Sequence, residues 1–140
     1  MNAPESGRGP RTGRSIWAVA AGFLFVVLLS LGTDEILHLT RVYPPWGVPM
    51  RDPALNALAL GYRLVYGILG NLLIYGLAPW KPMKHVWIGA GIGLVVSLAG
   101  VGAALSQDLG PAWYPIALAA SVLPSAWVTG SIARRFLKGA

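Results

Sequence analysis

Four long apolar runs, separated by short polar or proline-rich stretches, set the pattern of the chain. The first is "SIWAVAAGFLFVVLLSLG", continued by the charged "TDEILHL", and it predicts a helix over 15–39. The second, "ALNALALGYRLVYGILGNLLIYGL", predicts a helix over 54–77. "HVWIGAGIGLVVSLAGVGAALS" and "AWYPIALAASVLPSAWVTGSIA" predict the third and fourth, over 85–106 and 112–133. A hydrocarbon core of ~30 Å takes about 20 apolar residues in a helix. Inside lipid the backbone must satisfy its own hydrogen bonds, so each run reads as a transmembrane helix. The expected fold class is all-α: a four-helix transmembrane bundle over 15–135. A disordered cytoplasmic tail rich in Gly, Pro and Arg is expected over 1–14, and a short cytoplasmic tail over 136–140. The first run exceeds the ~7–15 apolar residues of a signal peptide, so it is read as a retained span.

Composition strengthens this picture. The chain of 140 residues is 55% hydrophobic and 11% charged, against about 25% charged in soluble domains. So few charges could not cover a water-facing surface. With no cysteine, disulfides, thiolate metal ligands and cysteine nucleophiles are excluded.

The positions of the basic residues predict orientation. Arg8, Arg11 and Arg14 precede the first run, Lys81 and Lys84 separate the second and third, and Arg134, Arg135 and Lys138 follow the fourth. The opposite loops carry only Arg41 and Arg51. The positive-inside rule then puts both termini in the cytoplasm and the protein in the inner (plasma) membrane. The net charge of +6 forms three membrane-flanking clusters without a recognition motif. The expected partner is therefore anionic lipid and not nucleic acid.

Small residues suggest how the helices meet. Gly89, Gly93, Ser97 and Gly100 form a stripe on the third helix, of the kind that lets a neighbouring backbone approach. The stripe serves either the bundle itself or a second copy or other membrane-protein partner. Pro124 is expected to bend the fourth helix and free a carbonyl. The loop "TRVYPPWGVPMRDP" is expected to rest in the headgroups, the alternative being a lid over the bundle end.

Candidate chemistry gathers where the first helix ends. Ser30, Asp34, His38 and Arg41 recur on one helical face, with Glu35 about 100° away. On the second helix Asn56, Arg63 and Asn71 share a face, with Tyr62 and Tyr66 beside it. Asp34 and Arg63 fall at similar depth on consecutive helices, so an Asp34–Arg63 ion pair is expected, with Glu35 as the competing partner. An unpaired charge at mid-span costs about 2.5–3.5 kcal/mol on insertion scales, and ionisable residues there mark function by default.

Other chemistries find less support. Asp34, Glu35 and His38 could supply metal ligands, but the His-Glu-x-x-His pattern is absent and His85 lies at the other side, so no metal or other cofactor is expected. Ser30 has no Gly-x-Ser-x-Gly context, so no catalytic residue is assigned. Two function classes follow. The leading one is an accessory or interaction protein with a structural polar cluster. The alternative is a small oligomeric transporter or channel using Asp34, Glu35, His38 and Arg63 as an ion or proton site.

Overall fold

The computed structural model describes the backbone of residues 3–108 and 110–136, with side chains described from residue 12 onward. The chain is an all-α bundle of α1 (Ala3–Leu39), α2 (Pro53–Leu77), α3 (Pro82–Gln107), α4 (Trp113–Ala120) and α5 (Val122–Phe136). Four stretches are long and apolar enough to cross a membrane: Thr12–Leu39, Pro53–Leu77, Pro82–Gln107 and Trp113–Phe136, the last uniting α4 and α5. The protein is a multi-pass membrane protein. The helical backbone of α1 begins at Ala3, upstream of the Ser15 start read from the sequence. Once a stable apolar helix exists, each residue added to its end gains a hydrogen bond without a new nucleation cost. The tail read over 136–140 lies outside the described residues beyond Phe136.

The interior is small and the exterior large, as a lipid solvent permits. Among the described residues six of nine buried apolar side chains are alanines: Ala18, Ala59, Ala90, Ala119, Ala126 and Ala133. Leu24, Leu28, Ile92, Val95 and Trp127 point outward. Burying Leu against Leu gains little when the solvent is itself hydrocarbon, so close backbone approach supplies the packing. The closest approach is between α1 and α2. A Cβ on Gly22 would lie 3.0 Å from the Gly70 carbonyl oxygen, and one on Gly70 would lie 2.4 Å from Val26 Cγ2. Neither glycine belongs to the predicted stripe. Of that stripe, Gly89 faces Ile74 and Val19, and Gly93 faces Phe23 and Val122, but Gly100 faces open space.

α1 packs along α2 and more sparsely along α3, while α4 and α5 close the far side against α2 and α3. At one end the first turn of α3 meets α1, where buried His85 Nε2 bonds Ser15 Oγ at 2.7 Å. At the other, here the distal end, the α1–α2 and α3–α4 loops meet. Met50 O lies 2.6 Å from where a Cβ on Gly110 would stand, and Arg51 pairs with Asp108 at 2.9 Å. The α1–α2 loop thus lies across the bundle end. Its prolines fix an extended path, and these contacts direct that path inward.

The fourth span divides into α4 and α5 at Ser121, one turn before Pro124, though Ser121 itself stays helical and its N–H still bonds Ala117 O at 3.0 Å. Proline has no N–H for the carbonyl four residues earlier, here that of Ala120. The Ser121 hydroxyl donates instead to Leu118 O at 2.6 Å, so it does not satisfy the freed carbonyl.

Candidate functional site

Helix geometry brings Asp34 and Arg63 together. Arg63 lies ten residues into α2 and Asp34 five residues before the end of α1, depths of about 15 Å and 8 Å from the distal end. Side chains lean toward the N-terminus of their own helix. On these antiparallel helices Arg63 therefore reaches toward the distal end and Asp34 away from it, and the two close the gap. Arg63 Nη2 donates to Asp34 Oδ2, while Glu35, rotated to the exposed face, takes no part in the pair. The register is continuous. Asp34 meets Tyr62, Val26 meets Gly70 and Gly22 meets Ile74, so steps along α1 match equal steps back along α2.

Asp34 is the sink of a directed hydrogen-bond chain. Its Oδ1 accepts from the Tyr62 hydroxyl. The Tyr62 proton is thereby committed, so in the 2.8 Å contact between Tyr43 and Tyr62 it is Tyr43 that donates. Beside it Thr33 donates to Leu29 O at 2.8 Å, so Tyr66 must donate to Thr33 at 2.7 Å. Tyr66 supports the α1–α2 contact without touching Asp34. Tyr43, outside the spans and buried, has its phenol pushed above the usual value by loss of water, with smaller effects from Tyr62, Asp34 and Arg63.

Other predicted members separate from the pair. Arg41 is not on the Ser30–Asp34 face, because α1 ends at Leu39. Arg41 takes a left-handed conformation (φ 66°), and the N–H groups of Arg41 and Val42 return to His38 O and Leu37 O. That is the Schellman closure, with arginine where glycine is usual. His38 turns to the loop: its Nδ1 lies 2.6 Å from Pro44 O, and its ring stacks on Trp46 at 3.7 Å. A carbonyl only accepts, so Nδ1 carries the proton. Asn56 also holds the loop, donating through Nδ2 to Met50 O at 2.9 Å and Asp52 O at 3.0 Å. Among the described residues no three His, Asp or Glu side chains gather into a metal-sized group.

Two chambers meet at Arg63. A distal vestibule of about 610 Å³ lies under the loop, lined by Asp34, His38, Tyr43, Trp46, Asn56 and Tyr114. An inner chamber of about 310 Å³ lies among all four spans, lined by Ser30, Gly67, Asn71, Gly93, Ser121 and Ser125. Arg63, Val96, Ser97 and Leu118 line both. Both volumes fall within the range of small-molecule sites. Arg63 Nε is buried with no hydrogen-bond partner among the described residues. Such an orphan on a charged group costs more than an unmade neutral bond.

Sequence reasoning did not place Tyr43, Thr33, Tyr114 or Leu118 beside the ion pair. Tyr43 in the loop and Tyr114 at a span end read as interface residues. Leu118 is one apolar residue in an apolar run, so it gave no signal.

These features define a class: a four-span membrane bundle with a paired charge inside and a cavity on either side of it. Comparison of the chain with protein-family profiles, curated proteins and solved structures returned no match.

Proposed function

We propose that the protein is a small carrier- or channel-class protein of the inner (plasma) membrane that binds a small ligand at the Asp34–Arg63 pair. In this reading both termini are cytoplasmic and the vestibule opens outward. One observation carries the proposal: Arg63, paired with Asp34, lines both chambers where they join. Ionisable residues inside a membrane span that line a cavity mark binding or transport sites by default. The test is flux in proteoliposomes loaded with pH- and ion-sensitive dyes. Asp34→Asn should abolish a flux that the parent protein supports while still inserting. Equal flux in variant and parent would overturn the proposal.

A second reading keeps the protein as an accessory that binds a membrane partner. It is favoured by the distal half of α3, where Gly102 faces open space. Its signature would be a dimer or complex in mild detergent that Gly102→Leu disrupts.

A further inference from the structure

Each of the four spans contributes a bare polar side chain to the inner chamber: Ser30 from α1, Asn71 from α2, Ser97 from α3 and Ser125 from α5. Among the described residues none of these four side chains has a hydrogen-bond partner, although Ser30 is only 6% exposed. Other hydroxyls in the spans turn back onto their own helix, as Ser121 does to Leu118 O at 2.6 Å and Thr129 to Ser125 O at 2.8 Å. These three serines do not. A hydroxyl or carboxamide kept from water without a partner costs free energy, so four in one cavity call for something that meets them. Ser30, Ser97 and Ser125 lie nine, ten and twelve residues from the distal ends of their spans, and Asn71 eighteen. Those depths are about 14, 15, 18 and 27 Å, so the polar lining starts at mid-membrane and runs toward the terminal side.

Charge and shape narrow what fits. Among the described residues Arg63 is the one ionisable group lining the chamber, and its guanidinium already pairs with Asp34. An ion would find no countercharge of its own, and an uncompensated charge in such a place is costly. Hydroxyls both donate and accept, and a carboxamide adds two donors and an acceptor. The complement is an uncharged molecule bearing several hydroxyl groups. The volume of about 310 Å³ equals the liquid volume of about ten waters and suits a small solute. At the far end the core of Ile74, Val86, Ala90 and Ala126 closes the chamber. Its α1–α3 rim, Val27, Leu31 and Val96, is apolar and turned outward, so a polar solute gains no route from the acyl chains. Entry is from the vestibule, past Arg63.

Resting on the ligand-binding reading above, we infer that the ligand is a small uncharged polyol held in the inner chamber by Ser30, Asn71, Ser97 and Ser125. The Asp34–Arg63 pair stands at the entrance, where its opposite charges favour a neutral solute over an ion of either sign.

The test uses the full chain in zwitterionic nanodiscs, with tritiated xylitol as the probe. Its oxidised and aminated relatives, xylonate and aminodeoxyxylitol, serve as competitors. Xylitol should bind, and both charged relatives should compete at least tenfold more weakly than unlabelled xylitol. Asn71→Leu removes the amide. Gly67→Leu fills the chamber, since Gly67 lines it and a Cβ there meets nothing within 4 Å. Leucine favours a helix over either original residue, so both variants should fold and bind xylitol at least tenfold more weakly. The chain has no cysteine, so Ser125→Cys reports separately on water in the chamber. A thiol reacts as its thiolate, which apolar surroundings suppress. Ser125→Cys should react with an uncharged thiosulfonate at least tenfold faster than Val95→Cys on the outward face, and xylitol should slow it. Equal rates would mean a dry chamber and overturn the inference. Competition by either charged relative as strong as xylitol's overturns the neutral assignment, and normal binding by both leucine variants overturns the placement. If xylitol does not bind while an Asp34-dependent flux persists, this inference falls and the reading beneath it stands. If that flux is absent as well, both fall.

Discussion

Replacing Asp34 by asparagine keeps the shape of the side chain and removes its charge, which makes the cost of the pair measurable. Asp34 accepts from two donors, Tyr62 and Arg63. Asparagine has one accepting and one donating arm, so only one donor can keep its acceptor. The cheaper flip keeps the carbonyl on Arg63 and turns the amide to Tyr62. Tyr62 must then donate to Tyr43, reversing that contact. Removing one member of a fully buried pair costs about 3–5 kcal/mol. The Asp34 side chain is 9% exposed and that of Arg63 27%, and the vestibule admits water to the guanidinium. The expected loss is therefore about 2–3 kcal/mol, the range of a charge-assisted hydrogen bond with its desolvation. Arg63→Gln should cost a similar amount, since it leaves the carboxylate behind. The double variant has no orphan charge, so its loss should fall short of the sum by about 1 kcal/mol or more. Reversible unfolding in mixed detergent micelles, read by far-UV circular dichroism, supplies the three free energies. Losses that add to within ~0.5 kcal/mol would mean the two residues are energetically independent, and the pair would then hold nothing together.

Four further outcomes are expected. Gly70→Leu should destabilise by about 1–3 kcal/mol or more, because its Cβ would meet Val26 at 2.4 Å and the Gly22 carbonyl at 3.1 Å; unfolding no easier than that of Gly67→Leu would refute the proposed crossing point. Asp108→Asn should change stability by less than about 1 kcal/mol, since its pair with Arg51 is exposed; a larger loss in the same unfolding assay would mean the loop contact bears more of the fold. The raised phenol of Tyr43 favours the folded state fully below its ordinary value of about 10 and loses that contribution as pH rises through the folded value. Stability should thus fall above about pH 10, less steeply in Tyr43→Phe, and parallel pH–stability curves for the two proteins would count against it. Reporter fusions at the C-terminus should be active only in a cytoplasmic format, and periplasmic activity would reverse the proposed orientation.

The residues readable in advance were those whose partners follow from helical arithmetic. Asp34 and Arg63 could be matched because a short loop makes their helices neighbours and counting places them at similar depth. Gly22 and Gly70 could not, since a lone glycine in a long apolar run does not say which face meets the next helix. The Gly89–Gly100 stripe over-reached at its distal end because α3 parts from α1 there, and periodicity on one helix carries no information about divergence from another. His38 and Asn56 were assigned to the ion-pair cluster from their helical faces. Both instead hold a loop whose return path depends on contacts with Pro44 and Met50, far less regular than any repeat. Arg41 shows the same limit, since the register that put it in line with Asp34 stops two residues earlier.

The break at Ser121 bears on how the chain is made. α4, at eight residues, is about 12 Å long, and α5, at fifteen, about 22 Å. Neither alone crosses a ~30 Å hydrocarbon core. Only together do they form the 24-residue stretch that reaches across. The insertion machinery must therefore accept two helices and a joint as one unit. The joint brings the carbonyl freed by Pro124 into the membrane after α2 and α3, which pack against α4 and α5, have been made. The last span is then the one whose insertion depends on the earlier three having already assembled.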